Sequence, residues 1–278
     1  MSEFHVWAPA AKSVEAILGG RREPMTRDSR GWWSANVAEA GAGTDYAFSI
    51  DGGNPLPDPR SPWQPYGVHG ASRTVDHSAF EWTANKWQPP PLSSAVIYEL
   101  HIGTFTPGGA FESAIERLAY LKDIGVTHIE IMPVAEFPGE RGWGYDGVDL
   151  FAPHHAYGGP DGLKKLIDAA HREGFAVILD VVYNHLGPDG NYLGLFGPYF
   201  TRQHHTPWGK AVNLDGAGST EVRRFFCDNA LLWLRDYRID GLRLDAIQAI
   251  FDSSALHFLE QLSREVEELE AATGRHFF

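Results

Sequence analysis

From residue 95 onward, short apolar runs alternate with longer amphipathic ones, four times over. "AVIYELHIG" (95–103) reads as a buried strand and "FESAIERLAYLKDIG" (111–125) as a helix. Phe111, Ile115, Leu118 and Leu121 mark the helix's apolar face, and Gly125 closes it. The pairing then repeats: "VTHIEIMPV" with "DGLKKLIDAAHREG", "FAVILDVVYNH" with "STEVRRFFCDNALLWLRDY", and "IDGLRLDA" with "SALHFLEQLSREVEELEAATG". "RHFF" (275–278) reads as the first residues of a fifth strand. Such repetition builds a parallel sheet, because each helix returns the chain to start the next strand in the same direction.

Polar residues decide between an open sheet and a barrel. They gather where each strand ends: Glu99 and His101, then Glu136, then Asp180, Asn184 and His185, then Arg243 and Asp245. An open sheet would concentrate its site at one switch point. Polar groups after every successive strand fit a TIM barrel, here about four βα units of it. No G-x-G-x-x-G follows the first strand, which argues against a dinucleotide site, and "YGGPDG" (157–162) reads as turn chemistry.

Before residue 90 the period is two. "FHVWAP", "SVEAIL", "WWSANV" and "DYAFSI" alternate, separated by turn clusters such as "DGGNPLPDP". This predicts an all-β sandwich over residues 1–88, joined by the stiff "KWQPPPLSS" to a barrel portion over 89–278.

A net charge of −13 with no basic block argues against nucleic acid and anionic membrane as partners. No apolar run reaches bilayer length, and "MSEFHVWAPA" lacks the charged and apolar regions of a signal peptide. Cys227, the single cysteine, sits in the packed helix "FFCDNALLWL" and reads as an inert thiol. A cytoplasmic location is the expectation.

Within "IDGLRLDA", Arg243 and Asp245 point to the same face of one strand. Three chemistries compete for this pair. Metal hydrolysis has possible ligands in His101, His128, His154, His155, Asp180 and His185. Yet there is no H-E-x-x-H, and the "HH" pairs at 154–155 and 204–205 read as solvated loop histidines, so no metal and no cofactor are expected. A second reading is a non-catalytic binding scaffold. The third is glycoside hydrolysis by paired carboxylates, with Asp245 as an anion paired to Arg243. It also explains the aromatics Trp143, Tyr145, Tyr183 and Trp208 beside the polar strand ends.

"DVVYNH" (180–185), "GLRLDA" (241–246) and "WGYDGVDLFAPHHAYG" (143–158) together resemble the active-site motifs of the α-amylase superfamily of retaining glycoside hydrolases. "VWAPAAKSVEAIL" resembles the sandwich that precedes the barrel in its branching, debranching and trehalose-forming members. Two longer stretches, from "YELHIGTF" to "YDGVDLF" and from "VVYNHLGPDGNYL" to "HHTPWGKAVNLDG", look most like the maltooligosyltrehalose trehalohydrolase family.

The resemblance implies roles. Asp245 would be the nucleophile and Arg243 would orient it. His185 would hydrogen-bond the sugar before the cleaved bond, and Tyr145 would stack under it. Asp180 and Asn184 would brace the motif. Trp143, Trp208, Phe200 and Asp215 would be sugar contacts, with loop packing as the plain alternative. The substrate would be an α-glucan, maltooligosyltrehalose, cut at the α-1,4 bond next to its trehalose. The alternatives are an α-1,6 branching or debranching enzyme, or a glucan-binding module built on the sandwich. A retaining glycosidase also needs a general acid about 5–5.5 Å from the nucleophile. The family carries it at the end of the fifth strand. Here "HFF" is the last of the sequence, so the general acid is expected outside this chain and the 278 residues alone are expected to be inactive.

Overall fold

The computed structural model describes Ser2–Phe278. Seven short strands come first: β1 (Ser2–Trp7), β2 (Val14–Leu18), β3 (Arg21–Pro24), β4 (Thr26–Arg27), β5 (Trp32–Val37), β6 (Asp45–Ile50) and β7 (Ser72–Arg73). They form two antiparallel sheets, ordered β1-β5-β4 and β3-β2-β6-β7. The period-two pattern becomes burial: Phe4, Val6, Val14 and Ala16 turn inward while His5 turns out. The two inner faces meet, with the rings of Phe4 on β1 and Tyr46 on β6 4.9 Å apart.

The second part begins with β8 (Ile97–Leu100), followed by α1 (Ile102–Phe105), α2 (Phe111–Ile115), α3 (Leu118–Asp123) and β9 (His128–Ile131). A small antiparallel pair, β10 (Ala135–Glu136) and β11 (Asp149–Pro153), precedes α4 (Gly159–Glu173) and β12 (Ala176–Val181). Then come α5 (Leu193–Phe196), the hairpin β13 (Phe200–Thr206) and β14 (Gly209–Val212), α6 (Ser219–Arg235), β15 (Gly241–Leu244) and α7 (Phe258–Thr273). The strands β8, β9, β12 and β15 form one parallel sheet in sequence order. That is a partial TIM-barrel type of fold. Among the described residues no helix is long and apolar enough to cross a membrane.

Three expectations need correction. The helix expected over 111–125 is two helices, because an i→i−3 turn, with Arg117 N donating to Ala114 O at 3.0 Å, breaks it. The last helix starts at Phe258 rather than 254. Asp252 accepts the amides of Ser254 (2.9 Å) and Phe258 (2.6 Å) and Arg223 Nη1 (2.6 Å), which holds the intervening residues in a loop. Residues 275–278 do not form a strand. Phe278 nevertheless pairs with β15 as a parallel neighbour would: its N–H donates to Asp240 O (3.1 Å) and its carbonyl accepts from Leu242 N (2.8 Å).

Asp240, an acid with no exposed surface, directly precedes β15, which carries Arg243 and ends just before Asp245. Its carboxylate accepts from Val177 N (2.9 Å), His171 Nε2 (2.8 Å), Trp87 Nε1 (2.9 Å) and Arg275 Nη2 (3.2 Å). Burying a charge is tolerated when its lone pairs are filled in this way. The same carboxylate ties the Pro-rich segment, through Trp87, to α4 and to the end of the chain. The first two antiparallel sheets are tied to β11 and α6 by Arg60. Its guanidinium lies about 5 Å from the rings of Trp32, Phe151 and Phe225 and pairs with Asp228 at 2.7 Å.

Candidate active site

Parallel register sets Asp180 on β12 directly beside Arg243 on β15. Arg243 Nη1 donates to Asp180 Oδ1 (3.0 Å), Asp180 Oδ2 (2.9 Å) and Asp245 Oδ1 (2.8 Å). The Asp180 side chain is fully buried, so this contact and the hydroxyl of Tyr145 (2.9 Å) hold it where water does not. Burial raises the Asp180 pKa, opposed by the hydrogen bonds from Arg243 and Tyr145. Arg243 is itself pushed up: burial lowers its pKa, and the bonds to both aspartates outweigh that. Tyr145 is raised by burial and by the Asp180 charge beside it.

Asp245 lies just past the end of β15, with its amide bonded to Val181 O (3.0 Å). Asn184 Nδ2 donates to its backbone carbonyl (2.8 Å) and to its Oδ2 (3.2 Å). The next residue, Ala246, sits at φ +42°, in the left-handed region that costs a non-glycine residue roughly 1 kcal/mol or more. The strand therefore ends in a sharp turn that leaves the Asp245 carboxylate partly open between Arg243 and Asn184.

The loop after β10 brings Tyr145 to this site. Gly144, at φ +90°, has room for no side chain: a Cβ there would stand 2.0 Å from Pro133 O. His101 Nε2 contacts Gly142 O (2.8 Å) and Tyr157 Oη (2.9 Å), fixing the loop's base. His101 is thus a satisfied brace, and Trp143 stacks on it at 5.5 Å with its outer face open.

His185 is buried, with Nδ1 on Asn184 Oδ1 and Nε2 3.0 Å from Tyr145 O. Both partners are acceptors. Burial lowers the ring's pKa, and a neutral ring carries one N–H, so only one of these contacts is a hydrogen bond. The ring of Trp208, at the tip of the β13–β14 hairpin, covers His185 at 4.8 Å and 18°. The structure thus assembles Tyr145, Asp180, Asn184, His185, Trp208, Arg243 and Asp245. It keeps Trp143 with His101. Asp215 stands apart too, accepting Ser253 N at 3.0 Å, and Phe200 lies half-buried on β13.

Two acids lie elsewhere than their strand positions suggested. Glu99 is level with Glu130 in the sheet, two residues deeper than Asp180, rather than at the rim. Glu136 is fully buried against His154 and His155, and His154 is buried as well. The reading of 154–155 as solvated loop histidines therefore fails for His154, which lies buried against Phe137, while His155 keeps part of its ring open. The signal available in the sequence was their position directly after an apolar strand.

Residues 72–194 match the alpha-amylase catalytic-domain family, and the strand order and the Arg243–Asp245 pair accord with that match. The chain resembles malto-oligosyltrehalose trehalohydrolases. It is 49% identical over 98% of its length to that of Rhizobium sp. (strain M-11) and 47% identical over 96% to that of Saccharolobus solfataricus. A 1,4-alpha-glucan branching enzyme of Vibrio cholerae is more distant, at 36% over 89% of the chain and 37% of the enzyme. A solved structure of a putative alpha amylase from Salmonella typhimurium superposes with a TM-score of 0.94 at 45% identity, over 99% of this chain and 46% of that one. The chain spans about half the length of the curated trehalohydrolases it matches, 47% and 48% for the two named.

Proposed function

We propose that the chain carries the nucleophile of a retaining glycoside hydrolase that cuts the α-1,4 bond next to the terminal trehalose of maltooligosyltrehalose. The observation that carries this reading is Asp245, held at a strand end by Arg243 and Asn184, in a chain so similar to trehalohydrolases. In this reading residues 1–88 are a β-sandwich and 89–278 the first four βα units of a TIM barrel.

Asp245 attacks the anomeric carbon, and the bond to the leaving sugar breaks as the ester forms. The leaving oxygen takes a proton from a general acid, which then deprotonates the water that hydrolyses the ester. Arg243 orients Asp245, and Asp180, fixed by Tyr145, orients Arg243. Asn184 holds the other carboxylate oxygen. A neutral His185 has one N–H for the two acceptors that face it, Asn184 Oδ1 and the Tyr145 carbonyl. A sugar hydroxyl entering there would supply the missing donor. Trp208 and Trp143 offer flat faces for glucose rings, and Phe200 and Asp215 stay candidates for more distant sugar contacts.

We assign the general acid to a carboxylate outside these residues. Glu99 and Glu130 lie too deep, level with Ile178 rather than with the strand ends. The 278 residues by themselves are accordingly inactive in this account. A cytoplasmic setting is part of the proposal and rests on the lone, buried Cys227.

The test is to join these residues to the remaining part of the Rhizobium relative and supply maltooligosyltrehalose. Release of trehalose supports the proposal. Cleavage or transfer at α-1,6 branches without trehalose would instead favour the branching or debranching reading.

A further inference from the structure

We propose that Glu136, His154 and His155 form a binding site for one divalent transition-metal ion, zinc by its donor set. One ligand atom from each lies within 4.8 Å of the others. Glu136 Oε2 is 3.1 Å from His154 Nδ1, and Oε1 is 2.7 Å from His155 Nδ1. Ligands bound at about 2.0–2.2 Å to one zinc ion stand roughly 3.3–3.6 Å apart, a spacing that both Glu136–histidine pairs approach, and binding draws the two imidazoles together around the ion. Two imidazoles and one carboxylate suit zinc, whereas calcium and magnesium take sets dominated by oxygen.

The second, independent observation is His154. Its side chain has no exposed surface, and neither ring nitrogen has a hydrogen-bond partner, despite the nearness of Glu136. Leaving such a group unmatched costs about 1–3 kcal/mol. An ion on Nδ1 answers it, leaving Nε2–H among the rings of Phe137 and Tyr157. Asp149, the cross-strand partner of Glu136, has a buried Oδ2 without a partner as well. His155 is the one ligand with exposed surface and gives the ion its way in. On binding, zinc replaces the proton shared by His155 Nδ1 and Glu136 Oε1, and that proton leaves to solvent.

The site lies away from the reacting atoms. Glu136 on β10 and the histidines after β11 bracket the loop that carries Trp143 and Tyr145, so the ion would staple the base of that loop. His154 also packs on Tyr157, whose hydroxyl meets the same His101 that holds Gly142. The ion's role is structural, and it departs from the sequence-based expectation of no metal.

The experiment strips the purified 278-residue chain with a chelator and then titrates zinc by calorimetry, with elemental analysis of the dialysed protein. Cobalt serves as a spectroscopic probe of nitrogen and oxygen ligation. The expected result is one equivalent of zinc, a raised melting temperature, and affinity lowered at least ~10-fold in His155→Gln and in Glu136→Gln. A His205→Gln variant, altered at an exposed histidine on β13, should bind as the unaltered chain does. His155 is partly exposed, so its variant should fold, and circular dichroism checks that. Substoichiometric zinc, or binding unchanged in His155→Gln and Glu136→Gln, would overturn the proposal.

Discussion

A single nitrogen of Arg243 joins Asp180 to Asp245: Nη1 lies 2.9 Å from one Asp180 oxygen, 3.0 Å from the other and 2.8 Å from Asp245 Oδ1. The buried acid therefore sets the guanidinium, and the guanidinium sets the partly open acid. In the proposed reading Asp180 aims Asp245 through Arg243 and needs no contact with the substrate.

That inheritance predicts the behaviour of Asp180→Asn in the joined enzyme. The shape is kept, but Arg243 loses half of its anionic fixing. Turnover should fall by at least ~10-fold while KM changes little, because the lost interaction aims the nucleophile rather than binds sugar. Equal kcat in the variant and the parent would remove Asp180 from the aiming chain.

Removing the Tyr145 hydroxyl should have a smaller effect of the same kind. Tyr145→Phe deletes one hydrogen bond to a buried carboxylate, worth about 1.5–3 kcal/mol, and keeps the ring. Tyr145→Ala should in addition raise KM, if the ring carries the sugar. Identical kinetics for the two variants would contradict a stacking role.

At the opposite end of β15, Asp240 should govern stability and not chemistry. Asp240→Ala leaves His171, Trp87 and Arg275 without their shared acceptor. Breaking a buried ion pair on one side costs about 3–5 kcal/mol. The urea midpoint should drop accordingly, and Trp87→Phe should lower it by only about 1 kcal/mol. A midpoint unchanged in Asp240→Ala would show that this junction is not under load.

Acid should weaken the fold through His77. Burial, and then the nearby Lys164 charge, push its pKa down to about 4 from an ordinary 6.5, and both ring nitrogens lack partners. The folded state thus prefers the neutral ring, while the unfolded chain takes the proton at ordinary pH values. This contribution is complete above about pH 6.5 and is lost as the pH falls toward about 4. His77→Phe should flatten that limb of a stability–pH curve. An unchanged limb would assign the acid sensitivity to other groups.

Much of the site was legible because its residues sit in short stretches at strand ends. Once "DVVYNH" and "GLRLDA" were strands, Asp180, Asn184, Arg243 and Asp245 had to meet at one rim. What sequence hid was side-chain bookkeeping across elements. Nothing in "NLDG" tells that Asp215 is taken by the amide of Ser253, or that His185 already faces two acceptors. The inward turn of His154 depends on the β10–β11 pairing, a two-stranded excursion between repeats that periodicity does not register. The helix break at 116–117 was invisible for a similar reason, since "FESAIERLAYLKDIG" keeps its apolar spacing across the break.

The central claim, that Asp245 is the nucleophile, is tested most directly by trapping it. A fluorinated α-glucosyl fluoride suits this chemistry, because fluoride departs without a proton from a general acid, while the ring fluorine slows release of the glycosyl-enzyme. The joined enzyme would be treated, digested with pepsin and analysed by mass spectrometry. The account predicts one added glycosyl group, carried by the peptide containing Asp245 and absent in Asp245→Asn. A glycosyl group on any other carboxylate, or one that persists in Asp245→Asn, would contradict it.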